Sequence, residues 1–317
     1  MISASKRILI IIITLVIIFS CTTDSQPDEQ ENPVQEDIIF IPDENFRNTL
    51  LNENCVDNNG DSIPEKSVDS NNDGKIQRSE AEAVINLILE FDYGSPVKFV
   101  DLKGIEHFIN IKKLELTSSV GYLYEENIDS ELISYDLTNL KKLEYLQINH
   151  LSTDFFENLD LSGLNKLVEL NLSNNRPGGT SFVDDEYNPI YFLNVNLEGC
   201  DILKKFSLVN SFLKINFCQT PSLEELNMEY LEGGEPDIID LHCLKNLKWL
   251  NISENFFDEL ILKNSSVLET FIANDVGSIG IYPYLYNICI DDIPEEYEQI
   301  AVFIGDETTI TTVCSFE

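Results

Sequence analysis

Basic residues are scarce in this chain. Twenty lysines and arginines face 56 aspartates and glutamates, leaving a formal net charge of −36. A surface of that sign repels nucleic acid and anionic lipid head groups and gathers divalent cations loosely at many points, so nucleic acid is excluded as a partner. Histidine is rarer still. His107, His150 and His242 are the whole complement, they lie far apart, and no His-Glu-x-x-His, Gly-x-Ser-x-Gly or P-loop spacing accompanies them. The chain therefore reads as a binding protein and not an enzyme. Long apolar runs are also missing: the longest, Ile8 to Phe19, is well short of the about 20 residues that a membrane-spanning helix needs. Hydrophobic residues make up 43% of the chain, which is ordinary for a globular protein, so the acidity belongs to a solvated surface and not to disorder.

The short apolar run has a basic flank, Lys6 and Arg7, and ends at Ser20 and Cys21, which is the layout of a signal peptide over residues 1–20. The tetrad "IFSC" resembles a bacterial lipobox. That resemblance implies that Cys21 is acylated and becomes the mature N-terminus, and loss of Lys6 and Arg7 then takes the net charge from −36 to −38. The following "TTDSQPDEQENPVQED" is polar and structureless in composition, a flexible acidic tether over residues 21–38. Thr22, not aspartate, follows the cysteine. By the sorting habit of well-studied lipoproteins this implies the outer membrane, and the acidic tether is compatible with display at the cell surface.

Cys21 leaves six cysteines in an exported chain, where disulfides persist. Cys289 and Cys314 flank the last acidic and β-branched segments and are expected to bridge, closing a loop whose cross-link contributes about 3 kcal/mol. Cys200, Cys218 and Cys243 recur near the same place in neighbouring repeats; buried thiols in place of leucine and a disulfide are both compatible with that spacing. Cys55 has no evident mate.

The pattern apolar-x-x-apolar-x-apolar recurs as "IKKLEL", "LEYLQI", "LVELNL", "LKKFSL", "LEELNM", "LKWLNI" and "LETFIA", starting at residues 111, 143, 167, 203, 223, 247 and 268. The shorter spacings match the about 20 to 29 residues of a leucine-rich repeat, and the longer ones leave room for insertions. A second motif precedes several of them: "DLTNL" at 136, "DLSGL" at 160, "NLEGC" at 196 and "DLHCL" at 240. Each unit thus holds two short extended segments, one on each side of a solenoid. One unit cannot bury its own apolar side, so stacked neighbours form the core and both ends need caps. The asparagine of the repeat consensus occurs as Asn175 and Asn255; elsewhere Ser119, Leu151, Ser211, Leu231 and Val276 stand in its place.

Between the tether and the repeats, "DSNNDGKIQRSE" fits the EF-hand calcium loop. Asp69, Asn71 and Asp73 stand at loop places one, three and five, Lys75 offers its carbonyl at seven, Glu80 stands at twelve, and Gly74 makes the sharp turn. Hard oxygen donors at these places suit calcium. A helix is expected to follow at "SEAEAV", with Ser79 and Glu82 as a capping box. The entering helix, within "PDENFRNTLLNEN", is displaced from the loop by "CVDNNGDSIPEKSV". There Asp57, Asn59 and Asp61 repeat the acidic spacing, resembling the calcium tracts of thrombospondin type 3, but Val68 replaces the glutamate at place twelve. A second ion held by Asp57, Asn59 and Asp61 would be bound more weakly. Sensor hands pair and open a Met-rich groove, whereas Met1 and Met228 are the only methionines here. A structural calcium that orders the N-terminal cap is the expectation.

With the lipobox, "IPDENFRNTLL" leading into an EF-hand or dockerin-like loop, the repeats, and the closing "NICIDDIPEEYEQI" and "TTVC", the chain resembles the leucine-rich repeat surface lipoproteins of Bacteroidota. The resemblance covers nearly all of residues 39–317 and implies a surface-anchored, α/β-poor leucine-rich repeat solenoid, mostly short parallel β-strands and curved. The expected layout is a helical N-terminal cap with the calcium loop over 39–90, the solenoid over 91–288, and a small disulfide-stapled C-terminal cap over 289–317. Period-2 alternation turns two columns outward. Lys113, Tyr145, Glu169, Lys205, Glu225, Trp249 and Thr270 form one; Glu115, Gln147, Asn171, Ser207, Asn227, Asn251 and Ile272 form the other. Tyr145 and Trp249, with the amides Gln147, Asn171, Asn227 and Asn251, are the candidate partner-binding residues, since aromatic anchors carry most interface energy. The expected function is capture of a protein or other macromolecule, in adhesion or host interaction, with the membrane met through the lipid anchor alone. A glycan-binding accessory lipoprotein for polysaccharide uptake is the alternative, and a periplasmic structural or inhibitor protein a third.

Overall fold

A computed structural model of the chain describes residues 37–91, 101–118, 136–149, 158–175, 193–211, 213–231, 238–255, 257–266, 268–274, 276, 285–302 and 308–314. The signal peptide, nearly all of the tether, Cys21, His150, Ser119, Leu151 and most of the long insertions lie outside the described residues. In chain order the N-terminal part holds α1 (Glu44–Asn52), β1 (Val56–Asp57), α2 (Arg78–Ala83), β2 (Asn86–Phe91), β3 (Lys113–Ser118) and β4 (Tyr145–Asn149). The middle holds β5 (Asn158–Asp160), β6 (Glu169–Asn171), β7 (Leu193–Asn196), β8 (Lys205–Ser207), β9 (Leu213–Ile215), β10 (Glu225–Asn227) and β11 (Ile238–Asp240). The last part holds β12 (Trp249–Asn251), β13 (Glu259–Ile261), β14 (Thr270–Ile272), β15 (Asn287–Cys289), α3 (Pro294–Ala301) and β16 (Thr309–Thr311).

Strand order shows how the repeats stack. Among the described residues a nine-stranded sheet runs β1-β2-β3-β4-β6-β8-β10-β12-β14, with two smaller sheets, β5-β7-β9 and β11-β13-β15-β16. Every pairing is parallel except β1 on β2. In the long sheet the three apolar places of each repeat turn inward: Leu143, Leu146 and Ile148, then Leu167, Leu170 and Leu172, and Leu247, Leu250 and Ile252, all essentially inaccessible. Each such side chain contributes about 1.5–3 kcal/mol through burial. β2 is a repeat strand upstream of the first one read from the sequence. "VINLIL" from Val84 fits the same template, but its outward residue is Ile88, and an apolar residue there hides the alternation. The sheet therefore begins inside the segment assigned to the N-terminal cap.

The other side of each coil opens on an Asx turn. Asp101, Asp136, Asp160, Asn196, Asn216, Asp240 and Asn264 each accept, through a side-chain oxygen, the N–H two residues on, at 2.7–3.1 Å. A short polar side chain in this role mimics a backbone turn, so the aspartate of "DLSGL" and its relatives starts the corner that the following leucines then bury.

The caps differ from expectation in detail. α1 is N-capped by Asp43, whose Oδ1 accepts from the Asn45 and Phe46 N–H groups, both at 2.9 Å, and it turns Phe46 and Leu50 into the core. α2 starts two residues earlier than a Ser79 cap would place it. Its N-cap is Gln77, whose N–H donates to the Glu80 carboxylate at 3.1 Å, so the capping box is Gln77 with Glu80 and not Ser79 with Glu82. At the other end β15 and β16 pair in parallel with the last strands of a solenoid sheet, making the C-terminal cap a continuation of the stack. Disulfides join Cys289 to Cys314 and Cys218 to Cys243, while Cys55 and Cys200 are buried free thiols.

Candidate functional site

The outward columns stand in the register that the repeat template implies. Lys113, Tyr145, Glu169, Lys205, Glu225, Trp249 and Thr270 are successive lateral neighbours, and so are Glu115, Gln147, Asn171, Ser207, Asn227, Asn251 and Ile272. A hollow of about 500 Å³ crosses β6, β8, β10, β12 and β14. It brings together Trp249, Asn171 and Asn227, while Tyr145, Gln147 and Asn251 lie outside its lining.

A third column surrounds the hollow with charge. Lys204, Glu224, Lys248 and Glu269 sit one residue before the outward column. Glu224 accepts from Lys204 at 2.8 Å and from Lys248 at 2.7 Å, and Lys205 pairs with Glu225 at 3.0 Å. Bonds from the two lysines hold the Glu224 carboxyl down to about 2. The signal was present in the sequence: the second place of each repeat reads Lys112, Glu144, Val168, Lys204, Glu224, Lys248, Glu269, and alternating signs are what lateral neighbours on parallel strands favour.

Tyr145 closes the other end of the face. Its hydroxyl donates to Gln147 at 2.8 Å, and the Lys113 ammonium lies 5.2 Å from its ring centre while pairing with Glu115 at 2.7 Å. Burial, then the charges of Glu115 and Glu169, push the phenol up to about 12. The amide column is less available than its outward position suggests. The oxygens of Asn171, Asn227 and Asn251 accept the N–H two residues on, at 3.0, 3.3 and 3.0 Å, capping the turn after each strand. The NH₂ groups of Asn171 and Asn251 go to Gln147 and Glu229.

The two acidic tracts fold differently. Asp57 is buried and its carboxylate accepts the N–H groups of Asn59, Gly60 and Ser62 at 3.0, 2.6 and 3.0 Å. Burial pushes this carboxyl up, but the three backbone bonds and nearby Lys113 outweigh it and hold the group below the usual carboxylate range. Asn59 and Asp61 likewise accept the N–H groups of Asp61 and Ile63. In the Asp69–Glu80 loop, Asp69 and Glu80 are both buried. The Asp69 carboxylate accepts from the Asp73 and Gly74 N–H groups, and Glu80 Oε1 accepts from those of Ser70 and Asn71. Gly74 takes φ +79° at the sharp turn. The donor chemistry, all oxygen with two buried carboxylates, fits a hard cation, although the oxygens of Asp69, Asp73 and Glu80 do not all lie within 4.8 Å of one another. The loop is tied to the cap by the Ile38–Gln77 bridge and by bonds of 2.8 Å from Ile39 N–H to Ile76 O and from Arg78 N–H to Asp37 O. The residue after the turn pairs with the end of the tether and not with a second hand.

No family model and no curated protein matches the chain. Solved structures similar to it include the functional domain of InlJ from Listeria monocytogenes, at 15% identity and TM-score 0.26, over 68% of this chain and 61% of that one. The chain thus spans about three fifths of that domain. An internalin C2 from the same organism matches at 13% identity and TM-score 0.32, over 80% of this chain and 94% of that one. A leucine-rich repeat protein of Leptospira interrogans matches at 17% identity and TM-score 0.17, over 67% and 75%. What decides the fold is internal: apolar-x-x-apolar-x-apolar units stacked in parallel register with a shared core. The chain is a leucine-rich repeat solenoid. Of the solenoid's three histidines, His107 lies 3.3 Å from Arg78 and His242 bonds Asp240, so the two that are described stand apart.

Proposed function

We propose that this solenoid is a non-enzymatic binding protein, carried at the outer face of the cell by a lipid on Cys21, that takes a protein partner on the outward face of its long sheet. The hollow beside Trp249 carries this reading. A half-buried tryptophan stands there among lysines and glutamates of alternating sign, and the core requires none of these groups. Aromatic anchors supply most of the energy of protein interfaces, and an ordered charge lattice selects partners and register more than it adds affinity. The high negative charge of the whole chain would steer a partner with a basic rim toward it.

In the same reading the loop Asp69–Glu80 holds a structural calcium through Asp69, Asn71, Asp73, the Lys75 carbonyl and Glu80. The ion would neutralise carboxylates gathered in a partly buried loop and so fasten the cap. Asp57, Asn59 and Asp61 are a weaker candidate, because Val68 stands where the twelfth-place glutamate of the loop would be.

Three measurements test this. Whole cells treated with protease should lose the protein, whereas protection would place it in the periplasm. The labelled chain, probed against a protein array and a glycan array, should bind proteins, and Trp249→Ala should weaken a hit by tenfold or more, as a truncated anchor of about 2 kcal/mol does. Hits confined to glycans, or untouched by Trp249→Ala, would overturn the partner assignment. Melting with and without a chelator should show a calcium-dependent rise; an unchanged melting temperature with no calcium by elemental analysis removes the metal.

A further inference from the structure

The cross-link between Cys218 and Cys243 has a feature that disulfide formation does not need. Cys218, His242 and Cys243 bring two sulfurs and an imidazole nitrogen within 4.8 Å of one another, the one such group of metal-ligating side chains among the described residues. The fold assembles it from adjacent coils. Cys218 sits in the short 3₁₀ turn Phe217–Gln219, and His242 and Cys243 follow β11 in the next coil. Asp240, the last residue of β11, orients the ring. Its Oδ1 accepts the His242 N–H at 3.0 Å and faces Nδ1 at 2.8 Å. The carboxylate thus favours the tautomer with hydrogen on Nδ1, which puts the ring lone pair on Nε2; Cys243 Sγ lies 3.4 Å from Nε2 and 3.6 Å from Nδ1. A carboxylate behind a histidine in this way is the recurring support of histidine ligands to zinc.

We propose that Cys218, Cys243 and His242 form a redox-gated site for a soft d¹⁰ cation, with Zn²⁺ as the ion tested. Two thiolates and one imidazole are a donor set that selects such ions over calcium and magnesium. The two states exclude each other, since the sulfurs cannot hold an ion while bonded together. A dithiol delivers two electrons and two protons to the disulfide and itself becomes a cyclic disulfide. The two thiols then release their protons as the ion binds to both sulfurs and to His242 Nε2, leaving a fourth position to solvent. Accessibility makes this the cross-link that opens first. Cys218 and His242 are exposed and Cys243 partly buried, whereas in the other disulfide Cys289 is fully buried and Cys314 partly buried; both close loops of the same length, 25 residues apart. Exposed disulfides are the labile ones.

The experiment uses the full chain, stripped of metal and held in excess calcium so that the acidic surface is already filled. Zinc uptake is measured by competition with a chromophoric chelator before and after reduction by a water-soluble phosphine, which is itself oxidised to its oxide. The expected result is one zinc per chain after reduction and none before, with a thiolate-to-metal band when cobalt replaces zinc. Asp240→Asn should weaken binding by about 10- to 100-fold, and Cys289→Ser with Cys314→Ser should leave it unchanged. Equal zinc uptake by the oxidised and reduced chains overturns the proposal, as does retention of the cobalt band in Cys218→Ser with Cys243→Ser. The comparison of oxidised with reduced wild type stands even if a variant folds poorly.

Discussion

Asn255 reaches from one coil to the one before it: its side-chain NH₂ donates to the Met228 carbonyl at 2.7 Å. The same group donates to Ile252 O at 2.7 Å, and its Oδ1 accepts the Leu231 N–H at 2.7 Å, all within the core. Asn175 repeats the arrangement with Ile148 O and Leu172 O. Replacing Asn255 by alanine leaves two buried carbonyls and one N–H without partners, and each unmet group costs about 1–3 kcal/mol. Asn255→Ala should therefore lower the stability of the repeat region by about 2–4 kcal/mol in urea melts. Leu231 occupies the equivalent place one coil earlier, and Leu231→Ala should cost less, because no such bonds are lost.

Two glycines should respond differently to the same substitution. Gly104 has φ +109° and an added Cβ would lie 2.8 Å from Ile41 Cγ1, whereas Gly74 has φ +79° with nothing within 4 Å. Gly104→Ala combines left-handed strain with a clash in the cap and should cost about 2–3 kcal/mol. Gly74→Ala should cost about 1 kcal/mol, from backbone strain alone. Thermal melts of the two variants side by side check the ranking.

Cys289 and Cys314 enclose a span of 25 residues that contains α3 and β16. Cys314→Ser should destabilise the chain by about 3 kcal/mol, mainly by freeing the unfolded form. The loss should show first as hydrogen exchange at β16, whose pairing with β15 is the outer edge of its sheet.

Glu296 gives the C-terminal cap a pH dependence. Its side chain is buried, and burial with the charge of Asp291 pushes its carboxyl up to about 7, against a single backbone bond from the Asp291 N–H. A carboxyl raised in the folded state holds its proton there more tightly than in the unfolded chain. Its contribution is therefore fully present below the ordinary glutamate range and is lost as pH rises through about 7. Glu296→Gln keeps an acceptor for the Asp291 N–H and removes the charge. It should raise stability at pH 8 by about 1–2 kcal/mol and flatten the melting profile between about pH 5 and 8.

The repeats were legible because stacking imposes one rule on every coil. The inward places must be apolar, so the strands and both outward columns follow from "LVELNL" and "LKWLNI" by counting. β2 escaped for the converse reason, since Ile88 faces outward and breaks the alternation without breaking the fold. The charge lattice around Trp249 is legible in the alternating signs at the second place of the repeat. The local use of the amides was not legible: Asn171, Asn227 and Asn251 sit at outward places, but their oxygens already cap the turns that follow.

Sequence alone determined the parallel stack of repeats, the acidic surface and the disulfide between Cys289 and Cys314. These depend on periodicity, composition and spacing along the chain. Tertiary structure decided what depends on distance between coils. Cys218 pairs with Cys243 because neighbouring coils stack side by side, while Cys200 is held in the core, its thiol 3.4 Å from the Leu161 carbonyl. The same stacking brings His242, held by Asp240, within 4.8 Å of both sulfurs. Glu224 becomes a shared acceptor because lateral register places Lys204 and Lys248 on either side of it.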